Sequence, residues 1–150
     1  MEAIINKKAR FNFSIEDTFE AGIVLEGWEV RPIFGRKINL DASHVIIKDG
    51  ELFLLNAQII PEKTTNHSDK VEPTRTRKLL LKKSQIMQLV GKVQEKGYTI
   101  VVTKVYRSRN KVKVEIALAK GKKEHDKRQT IKERDWAMEK SQLFKKSTKG

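Results

Sequence analysis

The sequence predicts a mainly β fold of the α+β class, whose strands close or nearly close into a small barrel capped by a helix. Three observations lead to this prediction: an alternating apolar pattern near the N-terminus, two hairpin patterns, and an amphipathic helix between them. A barrel would pair the strand edges and bury one face of each strand. The 150 residues suffice for one such domain.

The first strand is predicted over residues 11–25, where every second residue from Phe11 to Ile15 is apolar. A period of two is typical of a strand with one buried face. The next stretch, EGWEVRPIFGRK, has apolar residues at helical spacing and predicts a short helix near 27–36. Pro32 is compatible with that helix only in its first turn, because proline donates no backbone hydrogen bond.

The clearest local pattern is SHVIIKDGELFLLNAQII, in which two apolar runs flank Asp49 and Gly50. Asp-Gly is a preferred dipeptide of the type I′ turn, so a β-hairpin is predicted here. The polar segment that begins at Pro61 predicts a surface loop, and RKLLL can supply a further strand. The second helix is predicted near 83–96, from apolar residues at positions i, i+3, i+4 and i+7.

A second hairpin is predicted in YTIVVTKVYRSRNKVKVEIALAKG, with its turn near SRN. These elements define residues 1–121 as the barrel domain. Residues 122–150 are rich in lysine and arginine, and their few apolar residues fall on two faces of a helical wheel. Since neither face is broad enough to dock on a core, we expect a basic C-terminal tail that is largely disordered until a partner orders it.

The charge balance points to a polyanionic partner. The formal net charge is +13 and the sequence pI is near 10.0, which favours nucleic acid or an anionic membrane surface. The absence of cysteine excludes disulfides and fits a reducing compartment. The N-terminal residues lack the order of a secretory signal, and no apolar run is long enough to span a membrane. We therefore expect a cytoplasmic protein.

The residues that carry enzymatic chemistry do not form a recognisable pattern. A nucleotide-binding glycine loop is missing, and His44, His67 and His125 stand apart from one another without the spacing of metal ligands. The acidic residues in IEDTFEAG fit a solvated turn, although Glu20 has an alternative use as an acceptor for the amino group of a base. The sequence predicts no enzyme, no metal site and no cofactor.

Four basic stretches recur along the chain: NKKAR, RTRKLLLKK, YRSRNKVK and AKGKKEHDKR. Each one alone is typical of a solvated charged segment. Together they suggest one positive face that follows the phosphates of a nucleic acid. Phe11, Phe13 and Tyr106 lie among these stretches and fit either the core or a stacking role.

Several of these stretches, with FEAGIVLEGWEV and IKERDW, occur in an order and spacing that resembles the SsrA-binding protein (small protein B) family over residues 6–144. RTRKLLL and AKGKKEHDKR are the most specific of them. The resemblance implies an oligonucleotide-binding-type closed β-barrel with flanking helices. It implies a non-enzymatic protein that binds the tRNA-like domain of transfer-messenger RNA and delivers it to stalled ribosomes for trans-translation.

The resemblance also implies functional residues, motif by motif. The expected RNA-binding residues are Asn6, Lys7, Lys8, Glu20, Leu80, Lys82, Lys120, Lys122 and Lys123. The tail is expected to be helical on the ribosome, in the decoding centre and the empty messenger channel, where its partner is ribosomal RNA. Its expected contacts are His125, Asp126, Lys127, Arg128, Ile131, Trp136, Leu143 and Phe144.

The chain departs from the family pattern at three positions. Lys82 stands where asparagine or histidine is expected, Phe34 replaces a basic residue, and Gly35 lies one place early. The alternative function is that of a structural ribosomal-type protein bound permanently to ribosomal RNA. A membrane-surface protein fits less well, because an interfacial helix needs a broad apolar face that the tail lacks.

Overall fold

The structure is a computed structural model, and it describes residues 2–62, 71–95 and 97–122. The described part of the chain is mainly β, with three helices. The helices are α1 (Lys7–Asn12), α2 (Gly27–Phe34) and α3 (Lys83–Val93). The strands are β1 (Ile4–Ile5), β2 (Phe13–Ile23), β3 (Ile38–Asn39), β4 (His44–Lys48), β5 (Glu51–Leu55), β6 (Gln58–Ile59), β7 (Arg77–Leu80), β8 (Tyr98–Ser108) and β9 (Lys111–Gly121).

Seven strands form one antiparallel sheet in the order β1-β8-β9-β2-β7-β5-β4, and β3 pairs with β6 in a second, two-stranded sheet. The strands β2, β8 and β9 have eleven residues each and form the long ladder at the centre. Alternate residues of β9, from Val112 to Leu118, point into the main core, where they meet Leu52 and Leu54 from β5. One face of the sheet therefore surrounds the core, as a period of two requires.

The predicted closed β-barrel is wrong. In the described residues, β1 and β4 are the two ends of the strand order, and no backbone pairing joins them. The strand β4 packs near β8, but β8 pairs with β1 along that edge instead, at Val105 and Lys104. The sheet also narrows where β2 meets β7, because only Gly22 and Ile23 are paired there. The alternating patterns indicated that the strands bury one face, but they carried no information about which edges meet.

The N-terminal segment also differs from the prediction. A strand was expected from residue 11, whereas Phe11 lies in α1 and β2 begins at Phe13. The Asn6 side chain accepts a hydrogen bond from the Ala9 backbone N–H, with 3.1 Å between the two atoms, and so caps this short helix. The alternating pattern includes Phe11 and Asn12, the last two residues of α1, so it did not show where the helix ends.

Both predicted hairpins are confirmed. Asp49 and Gly50 have φ angles of 52° and 74°, and positive values at both positions are those of a type I′ turn. The strands β8 and β9 form the second hairpin, around Arg109 and Asn110. The strand expected at RKLLL is present as β7. Pro32 lies in the second turn of α2 rather than the first, so that part of the prediction is wrong.

A buried ion pair connects α2 with β7. Glu29 of α2 and Arg77 of β7 are both fully buried, and their closest nitrogen–oxygen distance is 2.5 Å. Arg77 also donates to the backbone carbonyls of Ala57 and Pro73, and Arg75 donates to the second carboxylate oxygen of Glu29 over 2.6 Å. Burial raises the pKa of Glu29, but the hydrogen bonds from Arg75 and Arg77 outweigh it, so the pKa lies below its usual value.

We expect Glu29→Gln to lower the free energy of unfolding by roughly 3–5 kcal/mol at neutral pH, because it leaves a buried guanidinium without its counter-charge. Urea denaturation measures this change. The matched control is Glu51→Gln, which breaks the exposed pair between Glu51 and Lys78; it should cost less than about 1 kcal/mol.

The pH dependence of the same variant follows from the lowered pKa of Glu29. The native carboxylate stabilises the fold above the ordinary carboxyl pKa, and this contribution is lost as the pH falls through the lower folded value. The difference in stability between the native chain and Glu29→Gln should therefore shrink in acid. Equal stability of the two proteins at neutral pH would contradict the role given to the pair.

Candidate nucleic-acid interface

The first basic site is the short helix α1. Lys7 and Lys8 lie on its exposed side, whereas Ala9 is buried and packs against Val101 and Ala117 of the long ladder. This packing holds the helix on the outer face of the sheet. Lys7 and Lys8, which the sequence predicts to bind RNA, are therefore two adjacent exposed cations on a helix that is packed on the sheet. A polyanion can reach both of them.

Asn6 has a different position from the two lysines beside it. Asn6 is only 4% exposed. Its side chain donates to the Val102 carbonyl over 2.8 Å and also caps α1. Its backbone N–H donates to the Thr103 carbonyl. The side chain thus has protein partners on both of its polar atoms, and it positions Lys7 and Lys8 rather than facing solvent.

Two further candidates lie where β9 ends. The backbone N–H of Lys122 donates to the Asn12 carbonyl, and its Nζ donates to the Arg10 carbonyl over 3.3 Å, so Lys122 lies against α1. Lys120 is exposed, and its Nζ lies 4.6 Å from the centre of the Tyr98 ring, within the range of a cation–π contact. Lys123 lies outside the described residues.

The other RNA-binding candidates meet in a groove between β2, β7 and the start of α3. Glu20, Leu80 and Lys82 line it together with Gly22 and Lys113. Leu80 is half exposed at its rim, although it is a leucine on a strand. Gly22 lies directly opposite Leu80, and a Cβ added at Gly22 would come within 3.3 Å of the Leu80 Cβ. A side chain at position 22 would therefore be crowded against Leu80.

Hydrogen bonding orients the Glu20 carboxylate in this groove. The Tyr106 hydroxyl donates to one carboxylate oxygen, and the Lys113 Nζ lies 4.0 Å from the other. Burial and the nearby Glu20 carboxylate raise the pKa of Tyr106, so the hydroxyl keeps its proton and remains a donor. Across the ladder, Glu20 lies directly opposite Glu115, whose carboxylate accepts from the Thr103 hydroxyl.

The predicted contacts therefore lie in two places along the sheet. Lys120 pairs with Ser14 near one end of the ladder, whereas Lys113 pairs with Gly22 near the other. Along β9 the two lysines are seven residues apart, a distance of roughly 23 Å in an extended strand. A ligand that contacts both α1 and the groove must be at least as long as several base pairs.

The structure also corrects one part of the basic pattern. The positively charged stretch RTRKLLLKK suggested phosphate contacts, but Arg77 is fully buried and Arg75 is bound to Glu29. The partner acid lies 46 to 48 residues away in sequence, so no local signal identified it. No local sequence pattern pairs Tyr106 with Lys113, the two residues that contact Glu20, because only the β8–β9 register brings them together.

The tail candidates from His125 to Phe144 lie outside the described residues, as does His67. His44 is exposed on β4, away from the other histidines in sequence. In the part of the chain that the structure describes, no helix is both long enough and apolar enough to cross a membrane.

These features define a class: a basic, mainly β protein with a lysine-bearing helix and a polar groove on one sheet, both suited to nucleic acid. Comparison with known proteins narrows the class. The family model described as SmpB protein matches residues 3–146, nearly the whole chain. The chain belongs to this family, whose members are called SsrA-binding proteins.

Curated relatives match this chain over almost their full length. The SsrA-binding protein of Methylibium petroleiphilum is 52% identical over 140 residues, which are 93% of this chain and 90% of that protein. The SsrA-binding protein of Leptothrix cholodnii is 50% identical over 140 residues, 93% of this chain and 91% of that protein. The SsrA-binding protein of Cupriavidus taiwanensis is 49% identical over 140 residues, which cover 93% and 94% of the two chains.

A solved structure is similar as well. It is described as "tmRNA-SmpB: a journey to the center of the bacterial ribosome", and its matching chain is 41% identical with a TM-score of 0.68. The match covers 81% of this chain and 85% of that one. The similarity therefore extends through the described fold and is not confined to one motif.

We expect Glu20→Gln to change the free energy of unfolding by less than about 1 kcal/mol, because relief of the repulsion from Glu115 offsets loss of the exposed pair with Lys113. Thermal unfolding measures the change. The control is Glu16→Gln, also on β2, whose carboxylate accepts from Tyr98 and has no acid opposite it in the β2–β9 ladder. A larger loss of stability in Glu20→Gln would show that the carboxylate is needed for the fold.

Proposed function

We propose that this protein binds the tRNA-like domain of transfer-messenger RNA and delivers it to stalled ribosomes for trans-translation. The observation that carries the proposal is membership of the SsrA-binding family over nearly the whole chain, together with the similarity to a chain described with tmRNA and the bacterial ribosome. In this proposal the protein acts by binding and not by catalysis. Its place of action is the cytoplasm, where ribosomes work.

The arrangement of the described residues supports two zones of RNA contact. Lys7 and Lys8 on α1, with Lys122 beside them, supply positive charge to one zone and require no base sequence. Release of condensed counterions from the RNA backbone would drive binding there. Lys120, at the end of β9 next to Tyr98, is a further exposed cation at this end of the ladder.

The groove of Glu20, Leu80 and Lys82 is suited to a different kind of contact. A carboxylate accepts hydrogen bonds from the amino group of a base, and an exposed leucine offers an apolar surface to a base ring. Such base contacts need an unpaired loop, because double-stranded RNA does not present its major groove edges to side chains. Lys82 adds charge at the rim, where the family pattern has asparagine or histidine.

The tail supplies the ribosomal part of the proposal. Residues 123–150, which include His125 and Trp136, fall outside the described residues, and their role rests on the family resemblance alone. In the proposal the charged residues 125–128 contact the decoding centre. The apolar residues from Ile131 to Phe144 then contribute to a helix in the empty messenger channel.

A structural ribosomal-type protein remains the second candidate because both functions need a basic surface. The two differ in the RNA that accompanies the protein in cells. If the protein is isolated mainly with transfer-messenger RNA, the first proposal holds; if ribosomal RNA of intact subunits dominates even when stalled ribosomes are absent, the second is correct.

The contribution of α1 can be tested with Lys7→Ala combined with Lys8→Ala. Loss of two phosphate contacts should reduce the slope of log affinity against log salt by about 1.4–1.8, since each contact contributes roughly 0.7–0.9. Fluorescence anisotropy with a tRNA-like RNA at several salt concentrations measures the slope. Lys48→Ala combined with Lys92→Ala removes the same charge from other exposed positions and should change the slope little. Equal slopes for the two double variants would argue against α1 as a contact.

The role of the tail can be tested by ending the chain after Glu124. Because the two contact zones are retained, affinity for the tRNA-like RNA should stay within about threefold of the full chain, a difference of less than 1 kcal/mol. Tagging of truncated products on stalled ribosomes in a reconstituted translation system should be lost. The control variant replaces only residues 147–150, and it should tag normally. Normal tagging by the truncated chain would exclude the tail from the mechanism.

A further inference from the structure

The tip of the β8–β9 hairpin carries three exposed cations: Arg107, Arg109 and Lys111. The ion pairs found among residues 2–62, 71–95 and 97–122 involve other basic side chains. These three charges are therefore not neutralised by a carboxylate within the described ranges. None of them belongs to the contacts that the family resemblance implies.

Arg107 is held in one orientation. Its Nε donates to the Arg109 carbonyl over 2.7 Å, and its Nη2 donates to the Asn110 side-chain oxygen over 3.0 Å. The guanidinium lies 4.3 Å from the centre of the Phe34 ring, so the hairpin tip is anchored on the end of α2. A guanidinium has five N–H groups, and those not used in these two bonds can bind a phosphate without a further loss of side-chain freedom.

Arg109 occupies an unfavourable backbone conformation. Its φ is 60°, in the left-handed region where glycine and asparagine are preferred and a longer side chain is disfavoured. A hairpin turn with glycine here would form more easily. An arginine at a position that favours a smaller residue points to a function for its side chain.

The tip is continuous with the proposed RNA groove. A second groove, lined by Val30, Asn110 and Lys111, runs beside the first and shares Gly22, Leu80 and Lys113 with it. Leu80 forms the rim between them. The positive charges of Lys82, Lys113 and Lys111 thus follow one path from the start of α3 to the hairpin tip.

We propose that the hairpin tip is a third RNA-contact zone, in which Arg107, Arg109 and Lys111 bind backbone phosphates of the same RNA that occupies the groove. This inference rests on the proposed function. The expected ligand is a run of consecutive phosphates, because the charged groups of the tip are guanidinium and ammonium groups. Contacts of this kind bind the RNA backbone and do not read its base sequence. The Arg107 guanidinium, which is held in one orientation, suits a bidentate contact with a phosphate, and the Lys111 ammonium group acts as a point charge.

The test uses Arg109→Gly and Lys111→Gln in the full chain. Arg109→Gly suits the left-handed backbone, so it should unfold at the same or a higher temperature than the native chain. Each variant should bind the tRNA-like RNA roughly three- to tenfold more weakly at 0.15 M salt, and the salt slope should fall by about 0.7–0.9. Lys48→Gln, beside the turn of the other hairpin, is the matched control and should leave both quantities unchanged.

The outcomes separate this inference from the proposed function. If the α1 variants lower the salt slope while Arg109→Gly and Lys111→Gln do not, the hairpin zone is overturned and the function stands. If neither the α1 variants nor the hairpin variants weaken binding of the tRNA-like RNA, the proposed function is overturned, and the inference that rests on it is overturned as well. A loss confined to ribosome binding, with binding of the isolated RNA intact, assigns the tip to ribosomal RNA and also overturns the inference.

Discussion

The position of β7 depends on the buried pair of Glu29 and Arg77, and the groove depends on β7. Two residue pairs join β7 to β2 and three join it to β5, so its backbone pairing is short on both sides. Glu29 of α2 binds Arg77, the first residue of β7. Because both side chains are buried, any other partner would leave a charge unpaired in the core. Leu80 then lies opposite Gly22, at the rim of the groove.

The same sheet carries both negative and positive side chains. Glu20 and Glu115 lie opposite each other, yet each accepts a hydrogen bond from a neutral hydroxyl, so the repulsion is reduced without neutralising either carboxylate. In a protein with a net charge of +13, a retained carboxylate next to Lys113 gives the groove a polar acceptor. The lysines of α1 are separate from this groove, so in the proposed function phosphate attraction and base contact act on different parts of one RNA.

Local chemistry made much of the fold predictable. Asp49 and Gly50 require a tight hairpin because few other dipeptides adopt two positive φ angles, and the apolar spacing of α3 requires one buried helical face. Other features had no local signal. The helix capped by Asn6 ends inside the alternating pattern, at Asn12. The basic segment around Arg77 forms a buried ion pair, because its acid is distant in sequence.

The sequence by itself determined the hairpins, the amphipathic helix, the excess of positive charge and, through its motifs, the family. Each of these depends on neighbouring residues or on summed composition. Only the tertiary structure decided that the sheet stays open, that Arg75 and Arg77 are structural while Lys7 and Lys8 are exposed, and that Glu20 meets Tyr106. These outcomes depend on strand register and on contacts between residues far apart in the chain, and periodicity does not encode either one.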